Sequence, residues 1–292
     1  MKIEEYFDPR CVKFPYPMDT GNHYLIVKKD DGTVFDENYP YIDDSKSFKT
    51  KQKFFKVFMY VVYYPIMLIR TGLRIKGKEN LKKYKDAISN GVVSICNHVH
   101  MWDYPMITWG VRPIKTRILV WDKNISGENG KMIRMTGGIP IPTNNQKATM
   151  KYMSAVRKYI NNGGWLHIYP EGSMWEYYAP VRPFKAGAFF FSVQCNKPII
   201  PLAFTYRKPG WIRGKIFKQV ALMTLNIGEP IYPDTSLAPN KRIEDLTIRA
   251  HKEVMKLAGR DPENNLYERI YNDSKRIDYY ATEYGKNYKG SW

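Results

Sequence analysis

"GVVSICNHVHMWDYP", Gly91–Pro105, runs from a glycine through a short apolar stretch into two histidines, a tryptophan and an aspartate. The apolar run is too short for a helix of its own and has the length and bounding of a buried strand. The residues after it are polar and then apolar again, as expected of a strand-to-turn-to-helix unit. On a regular helix, residues five apart sit about 140° apart, so His98 and Asp103 cannot share a helical face. His98 is therefore expected in the turn after the strand, with Asp103 facing back from the first helical turn.

Further short β-rich runs come later in the chain: "RILVW", "GGIPIP", "WLHIYP", "KPIIPLAFTY" and "VALMTLNIGEPI". Helical stretches separate them. "QKATMKYMSAVRKYINNGG" places Tyr152, Val156, Tyr159 and Ile160 on one face and stops at Gly163. "NKRIEDLTIRAHKEVMKLAG" does the same with Leu246, Ala250, Val254 and Leu257 before Gly259. Alternation of this kind predicts an α/β fold, a central mostly parallel or mixed sheet flanked by helices.

Ahead of that domain, "FFKVFMYVVYYPIMLI", Phe54–Ile69, is nearly all apolar and contains one lysine and one proline. At about 16 residues it falls short of the roughly 20 that span a bilayer as a straight helix. Lysines before it, and Arg70, Arg74 and Lys76 after it, predict an N-terminal membrane-interfacial helical segment on anionic lipid. A core helix of the domain is the alternative. The expected organisation is an N-terminal extension over 1–50, the interfacial segment over 51–76, the α/β domain over 77–260 and a polar, tyrosine-rich tail over 261–292. Within the extension, "HYLIVKKDDGTVF" reads as two short strands joined by an Asp-Asp-Gly turn.

The 292 residues carry 46 Lys and Arg against 28 Asp and Glu, a net charge of +18. That excess favours an anionic partner: a membrane surface, an acidic carrier protein or nucleic acid. Three scattered cysteines, Cys11, Cys96 and Cys195, make neither a disulfide framework nor a metal pattern. The charged, proline-broken start lacks the apolar core of a secretory signal, so the expected location is the cytoplasmic face of the cell membrane, peripheral or monotopic. No glycine-rich phosphate loop is present, since "GGIPIP" and "NNGGW" lack its spacing and its Lys-Ser/Thr ending.

Three chemistries fit "NHVHMWD". His98, His100 and Asp103 are a partial ligand set for a metal-dependent hydrolase, although a catalytic zinc normally takes three protein ligands and an orienting shell. His100 and Trp102 also suit ordinary packing. His98 as a general base, with Asp103 fixing its tautomer and supporting the imidazolium, is the acid–base reading. A basic nucleic-acid binder whose 23 tyrosines stack on bases is an alternative from a different class.

Taken with three later stretches, the sequence resembles the glycerolipid acyltransferases that include bacterial 1-acylglycerol-3-phosphate acyltransferase. "NHVHMWD" is similar to the family's Asn-His with an Asp further on; "TGGIPIPTNNQKA", "IYPEGSMW" with "RPFKAGAF", and "KPIIPLAF" resemble its later blocks, in order. The resemblance covers roughly 92–204 and implies an O-acyltransferase. His98 would be the general base and Asp103 its support; Glu171, Gly172 and Ser173 would shape the acceptor site. The co-substrate would be an acyl-CoA or acyl carrier protein thioester and the acceptor a lysophospholipid or related lipid, with no bound cofactor, no metal and no nucleic acid. Phosphate-accepting members commonly have arginines where this chain has Thr143 and Met174, and a guanidinium fork suits a phosphate monoester in a way neither residue can copy. Lysophosphatidate is therefore not expected to be uniquely preferred. Arg182, Lys185 and Lys147 are cations that could compensate, with a solvated surface charge the alternative for Arg182. Cys96 reads as a small buried residue.

Overall fold

In a computed structural model, described here for residues 9, 30–143 and 145–262, seven strands form one mixed sheet. The strands are β1 (Arg74–Lys76), β2 (Val92–Ile95), β3 (Thr116–Trp121), β4 (Gly138–Ile141), β5 (Trp165–Ile168), β6 (Ile199–Arg207) and β7 (Leu222–Ile227), in the order β1-β7-β6-β2-β5-β3-β4. Every pairing is parallel except β6 with β7. The α/β fold with a mixed sheet is thus as the sequence predicts, and the six apolar runs are six of the strands.

All four residues of β2 are buried, because this strand has neighbours on both edges and helices on both faces. Successive residues alternate between two cores: Val93 and Ile95 face one, Val92 and Cys96 the other. The first core is closed by α8 (Gln146–Asn161), α9 (Phe190–Cys195) and α10 (Pro239–Leu257). Asn145 caps α8 by accepting the Ala148 N–H, and Tyr152, Val156 and Ile160 line its inner face. The second core lies under α5 (Asp103–Gly110) and the N-terminal apolar helix.

That apolar helix is longer than its apolar stretch. It is continuous from Lys46 to Thr71, as α1 (Lys46–Phe58), a π turn (Met59–Tyr63) and α2 (Tyr64–Thr71). Its 26 residues span about 39 Å. By length and composition alone it could cross a membrane, which corrects the expectation that it is too short. Ser45 caps it, and the lysine-rich stretch before the apolar run extends it. The π turn has a cause in Pro65, which brings no N–H for the carbonyl four residues earlier and crowds it with its ring. The helix widens there, and the Tyr64 N–H bonds to the Met59 carbonyl instead. Met59, Tyr64 and Met67 bury one face against α5, where the Tyr64 hydroxyl lies 2.9 Å from that of Thr108. Gly72, in the left-handed region, ends the helix.

Two local expectations change. Residues 30–35 form no strand: the Asp30 and Asp31 carboxylates accept the Gly32 and Thr33 N–H groups, which closes the backbone into turns. The first strand expected there, with the start of the chain, lies outside the described residues, as does most of the tail. Arg74–Lys76, expected at the end of the helical segment, is instead strand β1, paired with β7.

Candidate active site

The site is built at the C-terminal end of β2, where an open α/β sheet places its chemistry. Residues 96–102 form the turn between β2 and α5, with His98 within it and Asp103 as the first residue of the helix. His98 Nδ1 lies 3.0 Å from Asp103 Oδ2. The same oxygen accepts the backbone N–H groups of Val99 (2.6 Å) and His100 (3.0 Å), so the carboxylate shapes the turn as well as holding the ring. With Nδ1–H donating to the carboxylate, Nε2 keeps its lone pair. Asp103 is fully buried, whereas about a quarter of the His98 side chain is exposed.

Burial moves both partners toward their neutral forms. It holds the His98 imidazole below the ordinary histidine range, helped by the nearby Arg182 guanidinium and opposed by Glu171. It raises the Asp103 carboxyl, against the His100 charge and the two backbone N–H groups. An unprotonated ring at neutral pH is the form that a base requires.

Several contacts fix the turn from outside. Buried Asn97 spans the gap to β6, accepting the Phe204 N–H (2.8 Å) and donating to its carbonyl (3.2 Å). The Trp175 and Tyr177 N–H groups donate to the carbonyls of His98 and Val99. The Tyr169 ring stacks on the His98 imidazole, 3.8 Å between centroids and nearly parallel. Asn97, Tyr169 and Trp175 all stand inside the quoted motifs, but no spacing rule marks them as positioning residues.

Glu171, Ser173 and Arg182 close on one another. Glu171 Oε2 accepts the His98 N–H (3.0 Å) and the Arg182 Nη2 (2.7 Å), and its Oε1 accepts the Arg182 N–H (2.9 Å). Arg182 also donates from Nη1 to Ser173 Oγ (2.8 Å) and from Nη2 to the Ser173 carbonyl, and its guanidinium lies over the Trp175 ring. Arg182 is buried, so the solvated surface charge is the wrong alternative for it, and its fork is turned toward Glu171 and Ser173. Gly172 has a φ of +78°, and a Cβ there would run into the Lys185 side chain, which lies over it. Lys185 itself is exposed.

The two positions without the expected arginines differ. Met174 is buried, while exposed Thr143 donates to Asp122 Oδ2 at 2.8 Å. His100 is buried, its Nδ1 accepting the Trp102 N–H, and among the described residues no group of three His, Cys, Asp or Glu side chains is arranged to hold a metal ion. Cys96 is buried with its thiol pushed well up by that burial, so it is not poised as a nucleophile.

Residues 72–205 match the family model described as Acyltransferase, a segment that runs from the end of the apolar helix into β6 and holds every site residue above. A comparison with curated proteins finds no match. Among solved structures, the chain is similar to 1-acyl-sn-glycerophosphate (LPA) acyltransferase, PlsC, from Thermotoga maritima, with 19% identity and a TM-score of 0.46 over 74% of this chain and 84% of that one. What the comparisons show is therefore a likeness of residues 72–205, a little under half of the chain, to the Acyltransferase family model.

Proposed function

We propose that this protein is an O-acyltransferase that works at the cytoplasmic membrane surface, moving a fatty acyl chain from an acyl-CoA or acyl carrier protein thioester to the hydroxyl of a lysophospholipid or related glycerolipid. The observation that carries the reading is the His98–Asp103 pair, with Nδ1 held by a buried carboxylate and the ring partly open to solvent. His98 Nε2 removes the acceptor's hydroxyl proton as its oxygen attacks the thioester carbonyl. The tetrahedral oxyanion needs backbone N–H groups or a cation beside it, and exposed Lys185 is the cation we assign to the mouth of the site. Collapse breaks the C–S bond, and the thiolate takes the proton back from the imidazolium. No acyl-enzyme and no bound cofactor are required.

In this reading Glu171, Ser173 and Arg182 shape the acceptor site by holding its floor, while Gly172 and Lys185 face the acceptor. The +18 charge serves an anionic bilayer and an acidic carrier alike. The outer face of the apolar helix, with Phe54, Val61 and Ile69 exposed, supports its lying on lipid.

The test is acyl transfer from a labelled thioester to a panel of lysolipids. His98→Ala is expected to lower turnover by about 10²–10⁴-fold, the usual share of a general base. Unchanged transfer by that variant would remove the proposed base.

A further inference from the structure

Between β6 and β7 the chain leaves the sheet as "KPGWIRGKIFKQ", 208–219, and returns. A hairpin needs only a few residues to make that connection. This one is a formed turn: the Gly214 N–H bonds to the Gly210 carbonyl, Phe217 to Ile212 and Gln219 to Arg213, with a π turn over Ile212–Ile216. Its large apolar side chains nevertheless point away from the protein. Trp211 is 66% exposed, Ile212 57%, Ile216 58% and Phe217 62%. Lysines and an arginine stand between them, at 208, 213, 215 and 218, with no acidic residue in the segment. Folded proteins rarely hold a tryptophan, a phenylalanine and two isoleucines outward on one short turn unless something covers them.

Its location narrows what covers it. Arg213 Nη1 and Gln219 Nε2 both donate to the carbonyl of Ile69, near the end of the apolar helix, at 2.9 and 3.2 Å. The loop is thereby fastened to the helix end where Ile66 and Ile69 are also exposed. Arg70 stands at the same end of the helix. Aromatic and aliphatic groups interspersed with cations, tied by hydrogen bonds to a second exposed apolar segment, match the layered chemistry of an anionic lipid interface.

We infer that the 208–219 turn is a second membrane-inserting element, which places Trp211, Ile212, Ile216 and Phe217 among the lipids and its lysines at anionic headgroups. The inference rests on the membrane reading of the apolar helix and adds a second anchor. Two points of attachment fix the orientation of the sheet relative to the bilayer, which a single helix cannot do.

The test uses the full chain and co-sedimentation with phosphatidylcholine vesicles, with and without phosphatidylglycerol. Trp211→Ser with Phe217→Ser is expected to weaken partitioning by about tenfold or more. Lys208→Gln, Lys215→Gln and Lys218→Gln together should lower binding to the anionic vesicles alone. These surface changes leave the sheet intact, so transfer to a short-chain, monomeric lysolipid should stay at the wild-type rate while transfer on vesicles falls. If the chain binds vesicles and the serine pair binds equally well, the loop inference is overturned and the helix reading stands. If the chain binds neither vesicle, both fall. If the serine pair instead converts a solution dimer to a monomer, the cluster is a protein interface and the inference is wrong.

Discussion

One oxygen of Asp103, Oδ2, receives His98 Nδ1 and the two backbone N–H groups that shape the turn carrying His98. Its other oxygen, Oδ1, is buried and meets no hydrogen-bond partner among the described residues. Asp103→Asn can therefore offer an amide oxygen to all three donors and keep the turn and the tautomer. It loses the negative charge and leaves its NH₂ buried without an acceptor. Turnover should fall about 10²-fold or more through loss of imidazolium support. Asp103→Ala, which strands three donors, should fall further and lower the melting temperature more. Matched rates and melting curves check this, and equal activity of the two variants would contradict it.

Arg182 gives a different kind of test. Its fork joins Glu171 Oε2 and Ser173, almost wholly out of solvent. A lysine keeps the charge and cannot reproduce the forked donation. Arg182→Lys is expected to destabilise the fold by about 2 kcal/mol or more, and Glu171→Gln, which leaves the guanidinium buried without its anion, by about 3–5 kcal/mol. Urea unfolding of both variants measures it. Losses under about 0.5 kcal/mol, typical of surface changes, would place the pair outside the core.

Stability should also depend on pH through a buried histidine outside the His98 turn. Burial drives His251 down to about 4, although the bond from its Nε2 to the Arg182 carbonyl opposes this. Its folded value is thus depressed below the unfolded one near 6.5. Above that pH the ring is neutral in both states and contributes no slope. As pH falls toward 4, the unfolded chain binds the proton first and stability drops, by on the order of 3 kcal/mol in total. His251→Gln, which can still donate to the carbonyl, should flatten that part of the melting-temperature profile. An unchanged slope would contradict the assignment.

On the proposed function, acceptor choice should follow from the absence of a guanidinium at positions 143 and 174. Met174 is buried and Arg182 is turned to Glu171, so neither offers a free fork to a phosphate monoester. Lysophosphatidate should be used less than about tenfold better than zwitterionic or uncharged acceptors, the worth of little more than 1.4 kcal/mol. Thr143→Arg, at an exposed position, should shift the ratio toward lysophosphatidate. Side-by-side kcat/KM values decide it, and a large native preference would refute it.

Strands such as "WLHIYP" and "KPIIPLAFTY" are legible because burial on both faces leaves an unbroken apolar run. β1 is not, because an edge strand of Arg74, Ile75 and Lys76 turns two cations to solvent and looks like a helix flank. The hairpin expected around Asp30 and Asp31 fails because short carboxylates can satisfy backbone N–H groups as well as a neighbouring strand can. At the site, the turn position of His98 is set by helical geometry alone. The burial of Arg182 is not, since its partner Glu171 stands eleven positions earlier in an irregular segment. The length of the apolar helix is also hidden, because its first turns are lysine-rich and draw no burial signal.

The clasp from Asn97 to Phe204 joins residues 107 positions apart. During synthesis at roughly 5–20 residues per second, the histidine turn waits roughly 5–20 s for the strand that holds it. Over that interval the His98 turn lacks the clasp to β6. Completion of the turn is thus timed by one of the last strands to emerge.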